Sequence, residues 1–384
     1  MRVLFHCCEF PPQAGGVGGY IYQMASCLTR MGNQAVVVTS RFPGLPELED
    51  CECGRVYRIY NRKDARTLKV AKAVMDLARE NKIDLVEGAD HHGELAGIIR
   101  TKKRPPVVVK IHGSNPINVL QNSQIYYRWQ KLTIWLAHVR NRKQTIDERF
   151  SIENAEMALM PSARMREELI NQRIHIPRRN AVLPNPVLPF DGELNKESVA
   201  PTVLMVSRLD IGKGIQFLPG ILRNLTSEFP DLTLEIAGDD SYARGIGSLR
   251  KWLVNRLGDL KGHVKFLGKL DREQLEHAYG RAWVVLLPSR WDNFPTVLLE
   301  AMIRGKPVVA SPHGGMPEML GGTLCGTAPP EGRDFINLVA NLLRDSSLRK
   351  LAGESLKKKA KEAYAPEVIV KDYIGTLKQW GVSG

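Results

Sequence analysis

Arg2 to Cys7 is a short apolar run with Val3, Leu4 and Phe5 in succession, and it meets a breaker-rich loop, Glu9-Phe-Pro-Pro-Gln-Ala-Gly-Gly-Val-Gly-Gly19. A helical pattern follows, with Ile21, Met24, Leu28 and Met31 on one face, and Gly32 ends it before the run Ala35 to Thr39. Strand, glycine loop, helix and strand in that order open a doubly wound α/β domain. The alternation continues through Ile83 to Glu87, Pro106 to Ile111 and the run leading to Pro161, where Ser162 is placed to cap a helix. The stretch 184–201 is rich in proline and polar residues and reads as a linker. Strand-like runs then resume at Thr202 to Val206, Leu232 to Ala237, Val264 to Gly268, Trp283 to Leu287 and Pro307 to Ala310. The expected architecture is α/β, with a domain over 1–183, a hinge at 184–201 and a second domain over 202–365, followed by an amphipathic helix within 366–384.

The 384-residue length suits two or three domains, and 43% hydrophobic residues suffice for real cores. No run of 18 apolar residues is present, and the N-terminus lacks the apolar core and cleavage site of a signal peptide, so a cytoplasmic protein is expected. Six cysteines agree with a reducing compartment; Cys51 and Cys53 lack a second pair at zinc spacing. The formal net charge is +13 and uneven: residues 100–179 hold 16 Lys/Arg against 6 Asp/Glu, an excess of 10. Within it, 124–150 mixes aromatic and basic residues on a helical pattern. That composition suits an anionic membrane surface at the inner face or a phosphate-bearing acceptor. It suits equally a helix packed on its own domain beneath long basic stems. Nucleic acid is not an expected partner.

Several loops carry chemistry. Arg208 and Lys213 leave a strand through a glycine-bearing loop, a fork and a point charge suited to two phosphates. In Pro288 to Gly305, a strand end is followed by Asp292, Asn293 and Phe294, then by a helix with Pro295 near its first position. The free N–H groups near Thr296 and Val297, with the positive end of the helix dipole, form a ready diphosphate site. Asp292 and Glu300, eight residues apart, bracket one ligand. His112 ends a strand just before Gly113, where side chains face a ligand crevice. His91 and His92 read as structural. A dehydrogenase fingerprint is not met, because the third glycine is absent after Gly16-Val-Gly18 and Arg41 rather than an acid follows the second strand. A P-loop fails because Gly214, not Ser or Thr, follows Lys213.

These motifs, in this order, resemble the retaining GT-B glycosyltransferases of family 4. Asp292 to Glu300 matches the acidic-x7-Glu signature, with Asp where the family usually has Glu; Arg208 and Lys213 match its Arg…Lys-Gly pair, one residue tighter than in many members; Gly314-Gly-Met-Pro-Glu318 matches its Gly-Gly-x-Pro-Glu tail. The resemblance implies two Rossmann-like domains facing across a cleft, the last helix crossing back onto the first. It places Asp292 and His112 by the donor sugar, Glu300 on the ribose, and Arg208 and Lys213 on the leaving diphosphate. Gly15 and Gly16 contact the donor phosphates or shape the acceptor side. Gly238 and Phe266 border the nucleotide base.

The implied reaction moves a hexose or related sugar from a nucleotide-diphosphate donor to the hydroxyl of a sugar or lipid-linked acceptor, in bacterial surface polysaccharide or glycolipid synthesis. No cofactor is expected, and no metal, because Asp239 and Asp240 are adjacent rather than an Asp-x-Asp site. The alternatives are a nucleotide-sugar epimerase or phosphorylase on the same fold, and a non-catalytic basic protein that binds lipid or nucleic acid.

Overall fold

The computed structural model describes residues 1–12, 15–113, 142–190, 192, 194, 196–243 and 245–382. They divide into two compact units, one made of the described residues up to Leu188 with those from Tyr364 onward, the other running from Pro189 to Ala363.

The first unit holds strands β1 (Arg2–Cys7), β2 (Gln34–Ser40), β3 (Leu48–Cys51), β4 (Gly54–Tyr60), β5 (Leu85–Ala89), β6 (Val107–Lys110), β7 (Met157–Met160) and β8 (Arg179–Val182). Its principal helices are α1 (Gly16–Arg30), α2 (Leu68–Glu80), α3 (Arg142–Asn154) and α4 (Ala163–Asn171). The sheet order is β3-β4-β2-β1-β5-β6-β7-β8, and every pairing is parallel except β3 with β4. The central strands read as unbroken apolar runs because both of their faces are covered: Val3, Leu4, Phe5 and Val36 to Val38 are all fully buried. Ser162 caps α4 through its side chain, as the sequence pattern expects, and Thr67 caps α2 in the same way.

The second unit holds β9 (Thr202–Val206), β10 (Thr233–Ala237), a two-stranded ribbon of β11 (Tyr242–Ala243) and β12 (Gly247–Ser248), then β13 (Val264–Gly268), β14 (Val284–Leu287), β15 (Val308–Ala310) and β16 (Gly326–Thr327). Between them lie α5 (Leu218–Thr226), α6 (Leu249–Leu257), α7 (Arg272–Arg281), α8 (Thr296–Ile303), α9 (Met316–Leu320), α10 (Arg333–Arg344) and α11 (Ser346–Ala363). The main sheet is parallel throughout, in the order β13-β10-β9-β14-β15-β16. That is the doubly wound order 3-2-1-4-5-6, with its reversal between β9 and β14.

The last helix, α12 (Pro366–Gln379), belongs to the first unit: Ile369, Val370, Tyr373 and Leu377 enter the same buried cluster as Val3, Phe5, Ile21 and Leu28. The residues of the aromatic and basic pattern at 124–150 fall mostly outside the described set; its described end is α3. Several described cations of the basic stretch are engaged locally: Arg100 on Asp147, Arg104 on Glu156, Arg149 on Glu153 and Arg164 on Glu167.

Candidate active site

In an open parallel sheet the ligand crevice lies beyond the carboxyl ends of the strands where the order reverses. In the second unit those strands are β9 and β14. The loop after β9 carries Arg208 and Lys213. Asp210 fixes its turn by accepting from the Gly212 N–H at 2.7 Å. Gly214 has φ +85°, and a Cβ there would stand 1.9 Å from the Pro288 carbonyl oxygen, so the loop after β9 rests directly on the loop after β14. The Arg290 N–H donates to the Gly212 carbonyl at 2.8 Å and joins the same two loops again.

The loop after β14 carries Asp292. Gly314 (φ +70°) fixes it from behind: a Cβ would stand 1.9 Å from the Asp292 carbonyl oxygen, and the Gly315 N–H donates to that oxygen at 2.9 Å. Held from both sides, Lys213 Nζ lies 2.6 Å from Asp292 Oδ2. The charge of Asp292 raises the Lys213 pKa, against burial and the positive Arg208, so the ammonium keeps its proton. Arg208 is exposed on the same loop.

Asn293 and Phe294 are buried, and Trp291 Nε1 donates to Asn293 Oδ1 at 2.5 Å. The helix begins at Thr296, and Pro295 is its N-cap, next to the first position. No side chain caps this end, and Thr296 is exposed. The N–H groups of Thr296 and Val297 belong to the first turn, which has no intrahelical acceptor. Further along α8, Glu300 Oε2 accepts from the Tyr279 hydroxyl at 3.1 Å. Burial raises the Glu300 pKa, while Arg304 and Tyr279 hold it down. Arg304 donates to the Glu300 carbonyl at 2.9 Å and lies over the Tyr279 ring at 4.9 Å. Tyr279 and Arg304 were not among the residues read from the sequence.

Gly238 follows β10, its N–H donating to Gly268 at 2.7 Å, and Phe266 in β13 is half-buried beneath the Arg250 guanidinium at 4.8 Å. Both lie at the same carboxyl edge of the sheet as Arg208.

The remaining sequence candidates lie in the first unit. The Gly15 N–H donates to Glu9 Oε2 at 3.2 Å, and a Cβ there would approach that oxygen to 2.6 Å; at Gly16, the first residue of α1, an added Cβ would meet open space. The His112 N–H donates to Asp90 Oδ1 at 2.8 Å, and its ring meets Tyr20 edge to face at 4.9 Å. Burial, followed by the nearby Lys110 charge, pushes the His112 imidazole well below its ordinary value, so it is neutral. Beneath it, the Tyr20 hydroxyl donates to Glu87 Oε1 at 2.9 Å, and Lys110 Nζ stands 5.0 Å from the Tyr20 ring centroid.

Among the described residues one group offers metal-ligand types, His91, His92 and Glu148, with ligand atoms within 4.8 Å of one another. Gln144 stands 2.8 Å from His92 Nδ1 and Arg62 stands 3.4 Å from His92 Nε2. A guanidinium so close opposes a divalent cation.

Residues 190–361 match the family model Glycosyl transferases group 1, and residues 14–188 match Glycosyltransferase Family 4. The phosphatidylinositol N-acetylglucosaminyltransferase gpi3 subunit of Schizosaccharomyces pombe is 25% identical over 222 residues, 56% of this chain and 47% of that protein. The chain thus spans about half the length of that relative. An uncharacterized glycosyltransferase of Methanocaldococcus jannaschii is 25% identical over 98% of both chains. Among solved structures, sucrose-phosphate synthase from Thermosynechococcus elongatus superposes with a TM-score of 0.78 at 20% identity, over 100% of both chains. Anabaena HepE in complex with UDP-glucose gives 0.72 at 20% identity, over 99% of this chain and 100% of that one. With one family model on each of its two doubly wound units, the chain belongs to the family 4 glycosyltransferases (glycosyl transferases group 1) and has their GT-B fold.

Proposed function

We propose that the protein is a retaining hexosyltransferase that moves a hexose or related sugar from a nucleotide-diphosphate sugar to an acceptor hydroxyl. The observation that carries this reading is the Lys213–Asp292 contact at the reversal point of the second sheet, on loops that also present Arg208 and the uncapped start of α8. The solved HepE structures hold UDP and UDP-glucose, which supports a nucleotide-sugar donor.

In this reading the bond from the anomeric carbon to the diphosphate oxygen breaks, and a bond to the acceptor oxygen forms on the same face. The acceptor proton passes to the departing phosphate. Arg208, Lys213 and the N–H groups at Thr296 and Val297 stabilise the negative charge that develops on the leaving group, each preorganised donor contributing roughly 2–4 kcal/mol. Asp292 orients the Lys213 ammonium and faces the sugar, and Glu300, held by Tyr279, takes the ribose hydroxyls. Gly238 and Phe266 border the base, and Asn293, Phe294 and Pro295 shape the turn into α8. On the family pattern His112 serves the sugar, and Gly15 and Gly16 the phosphates or the acceptor.

The acceptor we assign is a surface polysaccharide or glycolipid intermediate of a bacterium. No described helix is long and apolar enough to cross a membrane. Contact with an anionic membrane would be peripheral, through cations of 100–179. The test is release of nucleoside diphosphate on addition of acceptor, with the anomeric configuration of the product read by NMR. Acceptor-dependent release with retained configuration is expected; release with inversion contradicts the mechanism, and a free sugar phosphate as product contradicts the transferase reading.

A further inference from the structure

The first unit contains a buried charge cluster that the proposed chemistry does not use. Glu87 in β5 and Lys110 at the end of β6 lie on adjacent parallel strands, and both are essentially inaccessible to solvent. A charge buried this deeply is costly unless it is paired and hydrogen-bonded. Glu87 receives the Tyr20 hydroxyl at 2.9 Å, and Lys110 donates to the Leu183 carbonyl and stands over the Tyr20 ring at 5.0 Å. Tyr373, from α12, is also fully buried against the Glu87 carboxylate. Tyr20 lies five residues after Gly15, on the helix that the glycine loop opens. Its ring packs against the His112 imidazole with centroids 4.9 Å apart and the planes at 67°.

A purely structural role would be served more cheaply by apolar side chains, since replacing a buried ion pair by packed hydrophobic residues is often neutral or stabilising. What the polar cluster does, and an apolar core would not, is fix the azimuth of one aromatic ring. The Tyr20 hydroxyl is tethered at its far end to Glu87, so the position of its ring against His112 is set. The His112 backbone is fixed independently by Asp90 at 2.8 Å. One buried carboxylate therefore holds the His112 backbone, and another holds the ring that packs against its imidazole.

We propose that Glu87, Lys110 and Tyr20 are positioning residues that hold the His112 imidazole in one orientation for the donor sugar. The inference rests on the reading of His112 as a sugar-facing residue. Burial disfavours the charged form of both Lys110 and Glu87, and each charge offsets part of that cost for the other, so removing one member leaves the other less compensated. The neighbouring Lys110 charge also works against an imidazolium at His112, as does His91. The ring that is being oriented is the neutral one, able to donate through one nitrogen and accept through the other.

The experiment compares Tyr20→Phe, Tyr20→Leu and His112→Ala in the full chain, by turnover of the nucleotide sugar that the wild type accepts and by NMR of histidine-labelled protein. Tyr20→Phe keeps the ring and loses only the tether; kcat should fall several-fold with the donor KM within twofold. Tyr20→Leu removes the ring; kcat should fall about as far as in His112→Ala, on the order of 100-fold for a lost preorganised group. Its His112 ring signals should lose the ring-current shift that the Tyr20 ring imposes and should broaden. If Tyr20→Leu stays folded and keeps kcat within twofold while His112→Ala loses it, the positioning role is overturned and the role of His112 stands. If His112→Ala itself keeps full turnover, the role assigned to His112 fails, and this inference with it. Should Tyr20→Leu unfold, Tyr20→Phe decides alone: unchanged kcat with unchanged His112 signals overturns the proposal.

Discussion

Lys213 and Asp292 hold each other at 2.6 Å, and each is the other's reason for being in place. Lys213→Ala removes the point charge and should lower kcat by about 100- to 1,000-fold, the effect of one preorganised donor. Tyr279→Phe removes the hydroxyl that Glu300 accepts at 3.1 Å. A hydrogen bond to a carboxylate contributes about 1.5–3 kcal/mol, so donor KM should rise by one to two orders of magnitude with a smaller change in kcat, read from initial rates against donor concentration. Asp90 gives a pH signature. Burial raises its carboxyl from the ordinary 3.8 to about 7, so the folded protein binds a proton that the unfolded chain releases across that interval. The contribution of Asp90 to stability is therefore greatest below the ordinary value, falls as pH rises toward the folded value, and is level above it. Asp90→Asn keeps an acceptor for His112 and should abolish this slope, so that its urea midpoint gains on the wild type between about pH 4 and pH 7. Individual residues were legible in the sequence where a motif carried them, as with Lys213 and Glu300. Glu87 and Lys110 carried a different signal, a charge inside an otherwise apolar strand, which marks a buried polar network but not its partner. Asp90, Tyr20 and Tyr279 lie in no motif, and only the fold brings them to His112 and Glu300.

At the level of loops and helices, the site is built by backbones that touch. A methyl group on Gly314 would enter the Asp292 carbonyl, and the positive φ is itself unfavourable for a residue with a Cβ. Gly314→Ala should therefore lower stability by more than about 1 kcal/mol, and it should cut turnover further than that loss explains, because the Asp292 loop must move. Urea unfolding and initial rates on the same preparation measure both. The strands legible in the sequence, β1, β2, β5, β6, β7, β9, β10, β13, β14 and β15, are largely apolar because parallel strands are covered on both faces. The hairpin of β3 and β4 was missed because β3 is an edge strand of Leu48-Glu-Asp-Cys51, half charged and half-exposed, with no apolar run to mark it. β16, two residues long, leaves no pattern at all. The sequence puts Pro295 only near the start of α8, because a proline suits the N-cap and the first turn alike, and the structure makes it the N-cap.

For the molecule as a whole, the chain end completes the first unit. Removing residues 366–384 would expose the sites of Ile369, Val370, Tyr373 and Leu377 in the cluster they share with β1 and α1. Each buried side chain of this kind contributes about 1.5–3 kcal/mol, so the loss rivals the entire stability of a domain. The truncated chain should show an unfolded first unit and a second unit that still melts cooperatively, read by hydrogen exchange resolved along the sequence. Both sheets reverse their order beside their first strand, and in the second unit that reversal brings Lys213, Asp292 and the start of α8 to one edge. Calorimetric titration of UDP, ADP and GDP into the wild type and into Lys213→Ala tests this most directly. One of the three should bind the wild type, and its affinity should fall at least tenfold in Lys213→Ala, whereas equal binding to both proteins, or none to the wild type, would contradict a diphosphate site at that edge.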